Sequence, residues 1–292
     1  MVNAKLLKDL DEVLETKNRT IIMGVVNLSL DSFSKDGTRD LDKINKQCEL
    51  FINNGAEIID IGAQSSRPSS NAILESEIFG KKWGGEPNYI DSEKEIEILL
   101  PILNSISKNF DVLISVDTYR SDVAYESFMN GASIINDIWG LKYDPKIAQI
   151  VSECKGKLII MHNQEGNIYN HMIDDIKNSL IISSEIAIKS GLDKKNIILD
   201  PGLGFGKDVN QNLWLLKNLN EFLELDYPLM IGSSRKSFIG AVLNSPINDR
   251  IEGTAATVSI SIAKGADIVR VHDVVEISKT VKMTDAIIRG SG

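Results

Sequence analysis

Cysteine is nearly missing from this 292-residue chain, and the two that occur, Cys48 and Cys154, stand far apart with no CxxC partner. Neither a disulfide framework nor a thiolate zinc site is expected, and a reducing, cytosolic setting fits. Long apolar runs are also missing. No stretch approaches the roughly 18 apolar residues that mark a membrane-crossing helix, and residues 1–19 mix Lys, Asp and Glu with Leu every three or four positions, unlike a signal peptide. Positive charge is in the minority, 32 Lys+Arg against 41 Asp+Glu for a net charge of −9, which argues against general affinity for nucleic acid or an anionic membrane. Any anionic ligand must therefore be held by a few local cations. His162 and His171 sit in no metal-ligand spacing such as HExxH, and no Gly-rich dinucleotide fingerprint follows the first apolar run.

The 42% hydrophobic and 25% charged fractions are ordinary for a globular domain with a full core. Short Ile/Val/Leu runs recur along the chain, and nearly every one ends in a polar residue: Asn27, Asp60, Asp117, Asn136, His162, Asp200, Ser234, Arg270. Strands of a parallel sheet covered by helices are buried on both faces, so a polar side chain is admissible mainly where the strand emerges. Asn54-Gly55-Ala56-Glu57-Ile58-Ile59, Asn130-Gly131-Ala132-Ser133-Ile134-Ile135 and Lys264-Gly265-Ala266-Asp267-Ile268-Val269 share one spelling, a glycine-closed helix end running into a β-branched strand. Helices are expected at 41–54, 92–108, 120–130, 144–154, 171–190, 209–224, 250–264 and 274–289. Strands are expected at 21–26, 58–61, 112–116, 133–136, 157–161, 196–199, 228–232 and 268–271. Eightfold βα alternation predicts an α/β protein with a (β/α)8 TIM barrel, with an open doubly wound sheet as the runner-up. Residues 19–292 are read as one barrel domain and 1–18 as a helical N-terminal extension. The connection from Ser69 to Asp91, after the second strand, is long for a βα loop and is read as a mobile flap over the barrel mouth.

Asp117, Asn136 and Asp200 close successive or nearby strands, so the three should converge on one mouth, suited to a planar heterocycle with alternating donors and acceptors. The competing reading makes each an N-cap of the following helix. Asp200 through Lys207 is a Gly-rich turn in which Phe205 offers a ring for stacking. Ser234, Arg235 and Lys236 place a hydroxyl and two cations where a helix begins, and Arg270 and His272 share a face at the last strand, together a candidate anion clamp. Asn27 is a neutral oxygen donor next to that clamp once the barrel closes, sufficient for a Mg²⁺ that completes its shell with water and phosphate.

These segments, in this order, resemble the dihydropteroate synthase family from about Arg19 to the C-terminus. The matching stretches are Met23 to Ser34, Gly55 to Pro68, Ser115 to Thr118, Ile135 to Gly140, Asp200 to Lys207, Ser234 to Phe238 and Arg270 to Asp273. The resemblance implies an enzyme of folate biosynthesis that condenses 6-hydroxymethyl-7,8-dihydropterin diphosphate with 4-aminobenzoate to give 7,8-dihydropteroate and diphosphate. It implies Mg²⁺ as cofactor at Asn27, a cytoplasmic homodimer pairing through outer helices, and the role of a sulfonamide target. Carried over, Asp117, Lys236, Asp31 and Arg67 would be catalytic. The pterin would lie among Asp117, Asn136, Ile138, Met161, Asp200, Phe205, Lys236 and Arg270. Asn27, Ser66, Arg270 and His272 would hold diphosphate, and Phe33, Arg67, Pro68, Ser234 and Lys236 the aminobenzoate. The chain departs from the family pattern in its loops, with Ser29-Leu30 for a common Thr-Pro, Lys35 inserted, Gln64 for Glu and Ser66 for Thr. A pterin-binding methyltransferase-type barrel and a non-catalytic pterin-binding paralogue are the alternatives. The first would not need the Ser234-Arg235-Lys236, Arg270 and His272 cations, and the second would more naturally lose Asp31 and Arg67.

Overall fold

A computed structural model describes residues 2–28, 38–63 and 90–290. Helix α1 (Ala4–Thr16) precedes the strands β1 (Ile21–Asn27), β2 (Ala56–Gly62), β3 (Leu113–Asp117), β4 (Ile134–Asp137), β5 (Lys157–Met161), β6 (Ile197–Asp200), β7 (Met230–Ile231) and β8 (Ile268–Val271). Between and after them run α2 (Leu41–Asn53), α3 (Ser92–Asn109), α4 (Ser121–Met129), α5 (Lys146–Glu153), α6 (Met172–Lys189), α7 (Val209–Lys217), α8 (Ser237–Leu243), α9 (Ile251–Ala263) and α10 (Val274–Ile288). All strand pairs are parallel, in the order β6-β5-β4-β3-β2-β1-β8-β7. A single bridge from Leu199 to Leu229, with Leu199 N–H donating to Pro228 O at 2.9 Å, closes β6 on β7. The expected (β/α)8 barrel is present, and the doubly wound sheet is set aside.

Strand side chains alternate between two cores, as a period of two requires. Ile59, Ile61, Val116, Ile135, Leu158 and Leu199 face outward under the helices. Met23, Ile58, Leu113, Ile134, Ile159, Ile198, Met230 and Ile268 face inward and meet the buried stripe Leu7, Leu10, Val13 and Leu14 of α1. Helix α1 thus stoppers the lower end of the barrel, started by Asn3, whose side chain accepts from Leu6 N–H at 3.2 Å. Lys157, buried at the start of β5, ties to it through Asp11 and also donates to Lys195 O at 3.1 Å. Leu10 is 3% exposed, so Leu10→Ala should destabilise the fold by about 2–5 kcal/mol. A denaturant midpoint equal to wild type would show that the stopper is dispensable.

The three repeated spellings close helices at Gly55, Gly131 and Gly265, with φ of 93°, 108° and 99°, the left-handed region that glycine enters without strain. Three expectations need correction. The helix read at 209–224 stops at Lys217, and a tighter 3-10 turn covers Leu219–Leu225. There the buried Leu219 and Phe222 are three residues apart, a spacing that a three-residue turn places on one side. The strand read at 228–232 is reduced to Met230–Ile231, because Pro228 has no N–H to donate and Leu229 N–H is taken by the Asp267 carboxylate at 2.9 Å. Helix α8, missing from the expected ranges, begins at Ser237, where the Ser234–Lys236 turn anticipated a helix start. Its seven residues are too few to display a hydrophobic period.

Candidate active site

Two residues above the apolar inner layer, the inward positions turn polar: Asp60, Ser115, Asn136, Asp200 and Arg270, the first four no more than 4% exposed. Pairing sets Asp117 beside Asn136, and Met161 beside Asp200. Arg270 reaches past β1, its Nε donating to Asp60 Oδ2 at 2.6 Å and its Nη2 to Asp117 Oδ2 at 3.1 Å. Burial pushes the Asp117 carboxyl up to about 7, with Arg270 opposing and Asp60, Glu95 and Asp137 adding to the rise. Desolvation likewise raises Asp200, against the Gly202 N–H donated to its Oδ1 at 2.7 Å and the nearby Lys236 and Lys207.

The N-cap reading of the three polar residues fails. The caps of α4, α5 and α7 are Arg120, Pro145 and Asp208, so Asp117, Asn136 and Asp200 are free to face inward. Beside them Ile138, Met161 and Phe205 pack with Tyr119 and Trp139 in one small buried cluster, with the partly buried Tyr143 against it. Lys236 lies with its Nζ 4.1 Å from the centre of the Phe205 ring, and burial, then Arg270, lowers its amine to about 8. The glycines of this turn are compelled. A Cβ at Gly202 (φ 74°) would come within 1.9 Å of His162 O, and one at Gly204 (φ 80°) within 2.8 Å of Lys236 Cδ.

On the other side, Ser234 Oγ accepts from His272 N–H at 3.2 Å and lies 3.1 Å from its ring Nδ1. Asn27 ends β1 half-buried, and its carbonyl accepts from Thr38 N–H at 3.1 Å. Arg235, read as a second cation for an anion, instead turns to Asp273, with Nε donating to Oδ2 at 2.9 Å. The residues Asp31, Phe33, Ser66, Arg67 and Pro68 lie outside the described residues, as does the flap expected from Ser69 to Asp91 up to residue 89.

Three supports escaped sequence reading. Arg250 donates to Arg235 O at 2.9 Å and Lys236 O at 3.4 Å, fixing the turn that carries Lys236. Lys207 donates to Gly202 O and Phe205 O, each at 2.9 Å, and faces His162 Nδ1 at 3.2 Å. Burial lowers its amine to about 7 and keeps His162 neutral. Glu95 and Arg120 form a buried pair, and Arg120 also donates to Ile90 O at 2.8 Å. Nothing local in the sequence marks the long-range pairs Arg250 with Arg235, Glu95 with Arg120 and Lys207 with His162, which are 15 to 45 residues apart.

The sequence matches the pterin binding enzyme family over residues 23–78 and 79–272. It is 43% identical over 280 residues to the dihydropteroate synthase of Bacillus subtilis, covering 96% of this chain and 92% of that protein. The dihydropteroate synthase of Clostridium beijerinckii is 43% identical over 273 residues, 93% and 95% of the two chains. Among solved structures, dihydropteroate synthase from Clostridium difficile in the presence of pteroic acid superposes with a TM-score of 0.83 at 41% identity, covering 93% of this chain and 97% of that one. The Yersinia pestis dihydropteroate synthase in a sulfonamide drug complex gives 0.83 at 32% identity, covering 94% and 95%. With acids, amide and lysine gathered over an apolar shelf at the carboxyl ends of eight parallel strands, this chain belongs to the dihydropteroate synthase family of pterin-binding enzymes.

Proposed function

We propose that this protein is a transferase that condenses 6-hydroxymethyl-7,8-dihydropterin diphosphate with 4-aminobenzoate, releasing diphosphate and forming 7,8-dihydropteroate for folate synthesis. The observation that carries the reading is the convergence of Asp117, Asn136, Asp200, Lys236 and Arg270 on the apolar shelf of Ile138, Met161 and Phe205. A flat, nitrogen-rich bicycle needs such a set, with carboxylates and an amide on its edge and apolar side chains on its face. Loss of diphosphate leaves positive charge spread from the pterin CH₂ into the ring, and an ionised Asp117 stabilises that charge. The arylamine is unprotonated at neutral pH and attacks the CH₂ carbon, so the protein needs to hold it in line more than to activate it. No protein nucleophile takes part.

Ser234, His272, Arg270 and Asn27 are assigned to the diphosphate, and Phe33, Arg67, Pro68, Ser234 and Lys236 to the aminobenzoate. Asp31 and Arg67 join Asp117 and Lys236 as catalytic groups, and Ser66 joins the diphosphate set. No group of three or more His, Cys, Asp or Glu able to hold a metal ion occurs among the described residues. One amide oxygen from Asn27 nonetheless fits Mg²⁺, which keeps most of its shell for water and phosphate oxygens. When bound there, the ion would offset charge on the departing diphosphate.

No helix among the described residues is long and apolar enough to cross a membrane, and a cytoplasmic enzyme is the reading adopted. Val242, Leu243, Ile260, Met283 and Ile287 leave a largely exposed apolar surface on α8, α9 and α10. Such a surface suits a homodimer, and sedimentation at the monomer mass at micromolar concentration would refute it. The function itself is tested by incubating the protein with Mg²⁺, the pterin diphosphate and radiolabelled 4-aminobenzoate. Labelled dihydropteroate is the expected product, and none under saturating substrate removes the proposal.

A further inference from the structure

Asp60 is completely buried in β2, inside the barrel and in the same inward layer as Asn136, Asp200 and Arg270. Its carboxylate is used on one side only. Oδ2 accepts from Arg270 Nε, whereas Oδ1, fully enclosed, has no hydrogen-bond partner among the described residues. The Arg235–Asp273 pair is different, because both carboxylate oxygens are engaged by one guanidinium in a fork. An ion pair kept only to hold the fold would close in that two-pronged way, since a buried acceptor without a donor is costly. Arg270 instead divides its donors between Asp60 and Asp117. At the same level, Ser115 Oγ and Asn136 Oδ1 are also buried without partners, and Ser115 sits directly beside Asp60 in the pairing of β2 with β3.

Resting on the function proposed above, we infer that Asp60 is a positioning residue of the reaction: it fixes Arg270 across the barrel so that the guanidinium meets Asp117, and with Ser115 and Asn136 it forms a polar floor open to donors from a nitrogen-rich ring. The carboxylate acts through Arg270 on Asp117 in two ways. It sets where the guanidinium lies, and its own charge sits close to Asp117. The charged groups that face Asp117 are Arg270 from β8, Asp60 from β2, Glu95 from α3, Asp137 from β4 and Lys236 beyond β7. Of these, Asp60 and Glu95 oppose ionisation of Asp117, as does Asp137, while Arg270 favours it. Asp60→Asn removes one opposing charge from beside Asp117, which eases its ionisation, and takes away the anchor that places Arg270, which loosens the pterin site.

The experiment is the pH dependence of kcat/KM together with KM for the pterin diphosphate, measured on wild type, Asp60→Asn and Asp60→Glu. In Asp60→Asn the acidic limb should move down by at least about half a pH unit while KM rises about tenfold. A variant whose limb and KM both match wild type overturns the inference. If Asp60→Asn does not fold, Asp60→Glu keeps the charge but displaces Arg270 by one methylene. It should raise KM at least about threefold, and an unchanged KM overturns the inference. A general structural weakening would lower the melting temperature without shifting the limb, and that outcome also counts against it. Wild type without synthase activity would defeat the functional reading instead, so the two failures are distinguishable.

Discussion

Exchanging Asp117 for asparagine is expected to lower kcat by about 10²–10³, the usual consequence of removing a preorganised charge from a developing transition state. The amide keeps the size and one acceptor oxygen of the carboxylate but carries no charge to face the cationic pterin. The same residue should govern the acidic side of the wild-type profile. Its carboxyl is raised to about 7, first by burial, so below that pH it holds a proton and the charge is absent. Wild-type kcat/KM should therefore climb about tenfold per pH unit up to neutrality, where this limb ends. Asp117→Asn should lose this limb. Steady-state rates from pH 5.5 to 9 with labelled 4-aminobenzoate check both statements. A variant within threefold of wild type, or one retaining the limb, would remove Asp117 from the chemistry.

Lys236→Met should cost about 10- to 100-fold in kcat/KM, roughly 1.4–2.7 kcal/mol of transition-state stabilisation. Methionine preserves the stem but not the ammonium, which lies over the Phe205 ring and acts on both Asp200 and Asp117. With the amine lowered to about 8 by burial and then Arg270, wild type should lose activity as pH rises through that value. The two limbs then leave a narrow optimum near pH 7.5. Lys236→Met should flatten the alkaline side and raise KM for the pterin diphosphate, and an unaltered KM would argue that the lysine does not touch that substrate.

The barrel was legible because its signals are local. Apolar runs such as Ile58 to Ile61 and Ile197 to Leu199, separated by glycine-closed helices, encode the strand order directly. The candidate site was legible where a polar residue closes an apolar run, as for Asp117, Asn136 and Asp200, and where the family resemblance supplied Ile138, Met161 and a pterin role for Lys236. Asp60 shows the limit. The sequence marks it as another strand-end acid, but its meaning depends on Arg270, 210 residues away. Arg235 shows the opposite limit, since its cation is consumed by Asp273 across 38 residues. The break after Lys217 follows from Asn218, whose side chain turns back to donate to Trp214 O, and the shortening of β7 from Pro228 and Asp267 finding tertiary partners that no strand period reveals.

The turn at Gly202 and Gly204 bears on inhibition. With His162 O and Lys236 crowding the places where any side chain would begin, a compound that leans on this stretch of main chain rests on ground that evolution finds hard to alter. Escape by single substitution there would obstruct the enzyme's own backbone or dislodge Lys236, so resistance should arise elsewhere on the rim.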